Sequence, residues 1–83
     1  MGFNITFKKS VQKDLSKLPK AVVIRILDKI DKELPGGAES FPVLKGEFAG
    51  LRKFRVGDYR VIYTLLGDDV LILHIAHRKD VYR

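Results

Sequence analysis

The side chains best suited to chemistry in this sequence of 83 residues are three cations that flank a Gly-Asp turn at residues 57–58. Lys53 and Arg55 precede the turn, and Arg60 follows it. If these two residues form a hairpin loop, Arg55 pairs with Arg60, and Lys53 lies on the same side of the hairpin. Opposed residues share a sheet face, and opposed like charges destabilise it unless something such as a bound polyanion offsets the repulsion. An exposed basic face that only aids solubility explains the same residues, so the pattern alone leaves both interpretations open.

The apolar side chains of this hairpin fall on its other face, where they provide a floor for helices. They are Phe54, Val56, Tyr59, Val61 and Tyr63. The same alternation, continued through a turn near residues 67–69, places Ile72, His74 and Ala76 on the helix side and Leu73, Ile75 and His77 on the basic side. His74 is therefore expected to be a core histidine with a satisfied ring. His77 is either a residue at a strand end that bonds to a carbonyl or an acid–base group.

The elements that must position these groups follow from hydrophobic periodicity. Strands are predicted at residues 2–8, 50–56, 59–66 and 70–76, and helices at 10–18 and 19–34. Ser10 is the expected N-cap of the first helix, and Pro19 separates the two helices. The Pro-Gly-Gly run at 35–37 is expected to stop the second helix and open a connection that extends to residue 46. This order, a strand, two helices and then three antiparallel strands, predicts an α+β domain with its helices on one face of the sheet.

Composition limits the class of protein. The chain is long enough for one domain, residues 1–83, and its lack of cysteine excludes a small disulfide scaffold. A net charge of +6 favours acidic partners such as nucleic acid. The apolar runs are too short for a membrane span, and the first residues are too polar for a secretory signal, so a cytoplasmic protein without membrane contact is expected. No motif for a metal or small-molecule cofactor is present in the sequence.

Three segments give the sequence a family resemblance. They are Leu-Lys-Gly at residues 44–46, R-V-G-D-Y-R at 55–60 followed by Val-Ile-Tyr, and H-R-K-D-V-Y at 77–82. In this order, behind a helical hairpin, they resemble the RelE/ParE superfamily of bacterial and archaeal toxins over essentially the whole chain, and within it the RelE-like branch. The resemblance implies one RelE-like toxin domain with a strand, a two-helix hairpin and a three-stranded meander.

The resemblance also implies an activity. RelE-like toxins cut mRNA in the decoding site of the ribosome and are held inactive by a cognate antitoxin. The reaction implied is attack of a ribose 2′-hydroxyl on the adjacent phosphodiester, without a metal or other cofactor. Matching residue by residue, the implied catalytic set is Lys53, Arg55, Arg60, Arg78 and Tyr82. Lys45, Arg52 and His77 are assigned to RNA binding.

Each member of the implied catalytic set has its own role. Lys53 and Arg55 would hold the phosphate and assist loss of the 2′-hydroxyl proton. Arg60 would stabilise the phosphorane-like charge, and Arg78 would support the leaving 5′-oxygen. Tyr82 would stack on the nucleotide or orient it.

Two other functions remain open at this point. The first is a ParE-like toxin, which has the same fold but binds DNA gyrase and has no nuclease activity. The second is an inactive module whose partner is an antitoxin segment lying on the apolar residues of the basic face, namely Leu51, Ile62, Leu73 and Ile75.

Overall fold

Four strands form one mixed sheet in the computed structural model, which describes residues 2–44 and 50–79. Along the chain the elements are β1 (Asn4–Phe7), α1 (Lys9–Ser16), α2 (Lys20–Gly37), β2 (Arg52–Val56), β3 (Tyr59–Leu66) and β4 (Asp69–His77). The sheet order is β1-β4-β3-β2, with β1 parallel to β4 and the other neighbours antiparallel. The α+β class and the meander of the last three strands are confirmed. No helix in the described part of the chain is long and apolar enough to cross a membrane.

The core lies between the helices and one face of the sheet. Ile26, Ile30 and Leu34 recur along one side of α2 and are almost completely buried. Against them pack sheet residues of alternating position, among them Phe54 and Tyr63. Burial of a large aliphatic side chain stabilises a fold by about 1.5–3 kcal/mol, so this stripe fixes α2 across the sheet.

The predicted start of the first helix and the predicted end of the second helix both differ from the structure. The helix α1 begins at Lys9 after Lys8, because the Lys8 amide donates to the Ile72 carbonyl in a continuation of the sheet pairing and Ser10 is left inside the helix. The helix α2 continues through Pro35 to Gly37. Its last turn holds because Leu34 and Ala38 are buried, and because the Pro35 carbonyl accepts the amide of Phe3.

The β2–β3 hairpin has the predicted register. Arg55 lies opposite Arg60, and Lys53 lies opposite Ile62. Gly57 has a φ of +59°, a left-handed conformation that glycine adopts at little cost in a tight turn. The turn therefore sets which side chains of the two strands meet on each face.

The predicted faces of the end of β4 are wrong. The pairing of β3 with β4 shifts between Ile62, which lies opposite His74, and Tyr63, which lies opposite Ile72. This irregularity skips one residue, and a one-residue slip exchanges the faces of all that follow. His74 and Ala76 therefore lie on the side of Ile62 and Arg60, and Ile75 and His77 lie on the core side with Val61 and Tyr59.

The outer face of the sheet carries a small apolar cluster of its own. Ile62 is buried there by Leu44, with Leu51 and Ala76 packed beside them. The segment that carries Leu44 follows the edge of β2, where its amide donates to the Leu51 carbonyl at 2.8 Å. Of the apolar residues proposed to receive a partner segment, Ile62 is thus covered by this chain itself, and Ile75 belongs to the core.

Candidate functional site

An open groove lies at the edge of β2 and is lined by the three predicted cations. Lys53, Arg55 and Arg60 all line it, and its volume is about 350 Å³. Arg55 is exposed and Lys53 and Arg60 are half-buried, and Nε of Arg60 is buried. The geometry predicted from the hairpin, with one lysine and two arginines on a single open face, is confirmed.

Arg55 is aimed by the turn that follows it. Its Nε donates to the Gly57 carbonyl at 3.0 Å, a bond that does not use the terminal nitrogens of the guanidinium. Guanidinium groups remain protonated at all relevant pH values and match phosphate oxygens in pairs of hydrogen bonds. An anion in the groove would also offset the repulsion between Arg55 and the opposed Arg60.

The groove has walls that the sequence did not reveal. The helix α2 contributes Lys29 and Glu33, an ion pair with 3.2 Å between Nζ and Oε2, and the connection after it contributes Phe41 and Pro42. In the sequence Lys29 and Glu33 read as an ordinary exposed pair four residues apart. Only the packing of α2 beside the β2 edge brings them to the cations.

Arg52 lies outside this groove. It shares the helix side of the sheet with its partner Tyr63, and its Nη1 donates to the carbonyls of Glu39 at 3.0 Å and Phe41 at 2.8 Å. The guanidinium thus ties down the turn after α2. The structure gives Arg52 a structural contact where RNA binding was expected from the sequence.

Tyr63 lies on the core face next to this arginine. Its hydroxyl donates to the Ala38 carbonyl at 2.6 Å. Burial raises the pKa of Tyr63 from 10.0 to about 12, against a smaller lowering effect of the Arg52 charge. Tyr63 is a core residue, as predicted.

His77 and Arg78 occupy the other end of the hairpin. The His77 ring meets Tyr59 edge to face at 5.4 Å, and its Nδ1 accepts the Lys79 amide at 3.3 Å. It lies on the core side, so the prediction that it joins the basic face is wrong. Arg78 is exposed, and its amide donates to the Asp58 carbonyl at 2.8 Å, which places it beside the hairpin turn rather than in the groove lining.

His74 has the partner expected of it, although it is not a core residue. Its Nδ1 lies 2.9 Å from Oδ2 of Asp14 in α1, and its side chain is 41% exposed. The same carboxylate oxygen accepts the Ile75 amide at 3.2 Å. With His77, this pair lines a second groove, at the edge of β4 that β1 leaves open.

Two predicted site residues, Lys45 and Tyr82, lie outside the described residues. Within residues 2–44 and 50–79, no three His, Cys, Asp or Glu side chains lie close enough together to hold a metal ion. The site that the structure assembles is therefore a cationic groove with an apolar wall. Such a groove can bind a phosphodiester and stabilise negative charge that develops on it.

Comparison with known proteins places this fold in a family. Residues 5–82 match the family model described as the ParE toxin of the type II toxin-antitoxin system parDE. The chain is 32% identical to toxin RelG of Mycobacterium tuberculosis, with 100% of this chain and 99% of that protein covered.

Two solved structures support the same relationship. The RelBE2 toxin–antitoxin complex of M. tuberculosis contains a chain with a TM-score of 0.87 at 26% identity, covering 94% of this chain and 100% of that one. The RelE–RelB complex of Pyrococcus horikoshii contains one with a TM-score of 0.66 at 36% identity, covering 98% and 100%. The chain therefore belongs to the ParE toxin family of type II toxin–antitoxin systems, and within the RelE/ParE superfamily it is a RelE-like toxin.

Proposed function

We propose that this toxin is a ribosome-dependent mRNA endoribonuclease that inhibits translation. The observation that carries the proposal is the convergence of Lys53, Arg55 and Arg60 on one open groove. The relatives whose structures were solved as RelB–RelE complexes support a second part of the proposal, a cognate antitoxin that binds this chain and blocks its activity. The ribosome and mRNA are its targets, and the cytoplasm is its place of action.

The proposed reaction is transesterification within the RNA. The ribose 2′-oxygen forms a bond to phosphorus while the bond from phosphorus to the 5′-oxygen breaks. The products are a 2′,3′-cyclic phosphate and a free 5′-hydroxyl. The 2′-hydroxyl loses a proton and the leaving 5′-oxygen gains one, so protons balance without a metal or other cofactor.

The groove residues take different parts in this step. Lys53 and Arg55 hold the scissile phosphate, and Lys53 is the cation of the set that can also exchange a proton, because a guanidinium does not deprotonate. Arg60 stabilises the extra charge on the five-coordinate phosphorus. Orientation and preorganised charge can each lower a barrier by several kcal/mol. This is the kind of catalysis that a cationic groove can supply once the ribosome has fixed the RNA backbone.

Arg78 and the tail beyond it complete the proposed site. The amide of Arg78 donates to the Asp58 carbonyl at the hairpin turn, and Asp58 directly follows Gly57, whose carbonyl accepts Nε of Arg55. From there its side chain would support the leaving oxygen when RNA is bound. Tyr82 is proposed to stack on the nucleotide, and Lys45 to contact RNA.

The alternative function is inhibition of DNA gyrase, and the match to the ParE toxin family supports it. Mapping mRNA ends after brief expression separates the two functions. Cuts within translated codons, each with a 5′-hydroxyl on the downstream fragment, are expected. Growth arrest with intact mRNA and induction of the DNA damage response would overturn the nuclease proposal in favour of gyrase inhibition.

A further inference from the structure

The groove at the β2 edge extends beyond the three cations. Its far side is formed by Phe41 and Pro42. Its volume of about 350 Å³ is at the low end of the ~300–1,000 Å³ typical of small-molecule sites. A space of this size can hold one nucleotide.

The aromatic wall is held in place from three directions. The Phe41 ring packs edge to face on the buried Phe54, with 4.9 Å between centroids and 71° between planes. The Phe41 carbonyl accepts Arg52 Nη1 at 2.8 Å, and the neighbouring Pro42 carbonyl accepts the Lys53 amide at 3.2 Å. A ring fixed in this way loses little freedom when a flat ligand stacks on it.

The wall and the cations lie on one continuous surface. Lys53 donates its amide to Pro42 while its side chain lines the same groove as Arg55. A ligand that contacts both sides must carry an anionic group next to a flat apolar group. The phosphate and base of a nucleotide have this arrangement, and bases of every type can stack on an aromatic ring.

We infer that this groove is a nucleotide subsite, in which the base next to the scissile phosphate stacks on Phe41 while the phosphate lies on Lys53 and Arg55. The inference rests on the proposed nuclease function and adds to it the residue that orients the base. Arg52 acts through Phe41 as a positioning residue, because it anchors the backbone of the wall without lining the groove.

The test compares two ligands of equal charge type, adenosine 5′-monophosphate and ribose 5-phosphate, by NMR titration of the free protein. Stacking of a base on an aromatic ring is worth about fivefold or more in affinity. The nucleotide is therefore expected to bind at least about fivefold more tightly, with shifts of the Phe41 ring protons. Equal affinity of the two ligands would overturn the inference.

Variants separate the wall from the cations. Phe41→Leu is expected to remove the preference for the nucleotide, and Phe41→Tyr to keep it. Lys53→Ala is expected to weaken both ligands by the same factor. Phe7 is a matched control, because it is 43% exposed on β1 at the opposite edge of the sheet. A preference lost equally in Phe7→Leu would contradict the assignment to this groove.

Ribosome assays distinguish failure of this inference from failure of the proposed function. If wild-type protein cuts mRNA on the ribosome and Phe41→Leu does so at the same rate, the base subsite is wrong and the nuclease remains. If wild-type protein makes no cuts, the proposed function is wrong, and with it the role of the subsite in cleavage.

Discussion

At the scale of single residues, the arginines that face each other across the hairpin have different surroundings. Arg55 is exposed and bonds to its own turn, whereas Arg60 is half-buried. Because Nε of Arg60 is buried, replacement of this residue would change packing within the fold as well as charge. Arg55 is consequently the better residue for separating catalysis from folding.

Arg55→Ala should reduce ribosome-dependent cleavage while leaving the fold intact. Arg55 is proposed to hold the scissile phosphate, and loss of this orientation is expected to slow cleavage by about 10²-fold. Surface substitutions change stability by about 0.5 kcal/mol or less. In Arg55→Ala, loss of the bond to Gly57 lowers stability, and loss of the repulsion between Arg55 and Arg60 raises it. Single-turnover cleavage and urea unfolding measure the two effects. Unchanged cleavage, or a large loss of stability, would contradict the proposed role. The variant Arg55→Lys keeps the positive charge, so its cleavage rate shows how much of the effect depends on the guanidinium group.

Tyr63 should make the fold sensitive to alkaline pH. Its pKa is raised to about 12 in the folded state, so between pH 10 and 12 the unfolded chain loses the phenolic proton while the folded chain keeps it. Stability is therefore complete below pH 10 and falls as pH rises toward 12, by about 2–3 kcal/mol for a shift of this size. Urea unfolding of wild type and Tyr63→Phe over this range isolates the effect, because other groups titrate equally in both. Parallel stability curves for the two proteins would show that the phenol does not titrate as expected.

At the scale of elements, Asp14 joins α1 to the edge of β4. Its carboxylate, 17% exposed, accepts both the His74 ring and the Ile75 amide where β1 no longer covers the strand. Asp14→Ala should destabilise the protein by about 1–3 kcal/mol, since it leaves these partly buried donors without a partner. Amide hydrogen exchange should rise most at Ile75, and Asp14→Asn, which keeps an acceptor oxygen, should cost less. Unchanged exchange at Ile75 would show that α1 is held by apolar packing alone.

The elements also show which parts of the fold could be predicted. Gly57-Asp58 determined the β2–β3 register because a two-residue turn leaves no freedom in the pairing that follows. The shift opposite Ile62 could not be predicted, because nothing in the alternation of β4 marks the residue that is skipped. The prediction that the second helix stops at Pro35 is wrong, because burial of Leu34 and Ala38 outweighs the local preference to end the helix.

The candidate site was predictable only where it depends on that hairpin. Lys53, Arg55 and Arg60 follow from the turn and the alternation of two adjacent strands. Phe41 and Glu33 could not be found in this way, because the packing of α2 and of the connection after it decides their position. Long-range contacts of this kind leave no periodic signal in the sequence.

At the scale of the whole molecule, the net charge of +6 should attract RNA to the protein without regard to the groove. The salt dependence of the affinity instead reports the number of phosphates contacted, because each neutralised phosphate releases counterions. The proposal counts four contacts, from Lys53, Arg55, Arg60 and Arg78, and each contributes ~0.7 to the salt slope with single strands. The logarithm of affinity for an uncleavable 2′-O-methyl RNA should thus fall against log salt with a slope of about −2.8. Fluorescence anisotropy between about 50 and 200 mM salt covers a suitable range.

Variants determine whether that slope belongs to the groove or to the overall charge. Arg55→Ala should make it shallower by about 0.7, because one phosphate contact is lost. Lys32 is the matched control, since it also carries one positive charge but lies on α2 in an exposed pair with Asp28 at 3.0 Å. Lys32→Ala removes the same charge from the molecule without removing a groove contact, so the slope should stay the same. If both variants reduce it equally, RNA is attracted by the net charge of the protein, and the groove does not bind the phosphates individually.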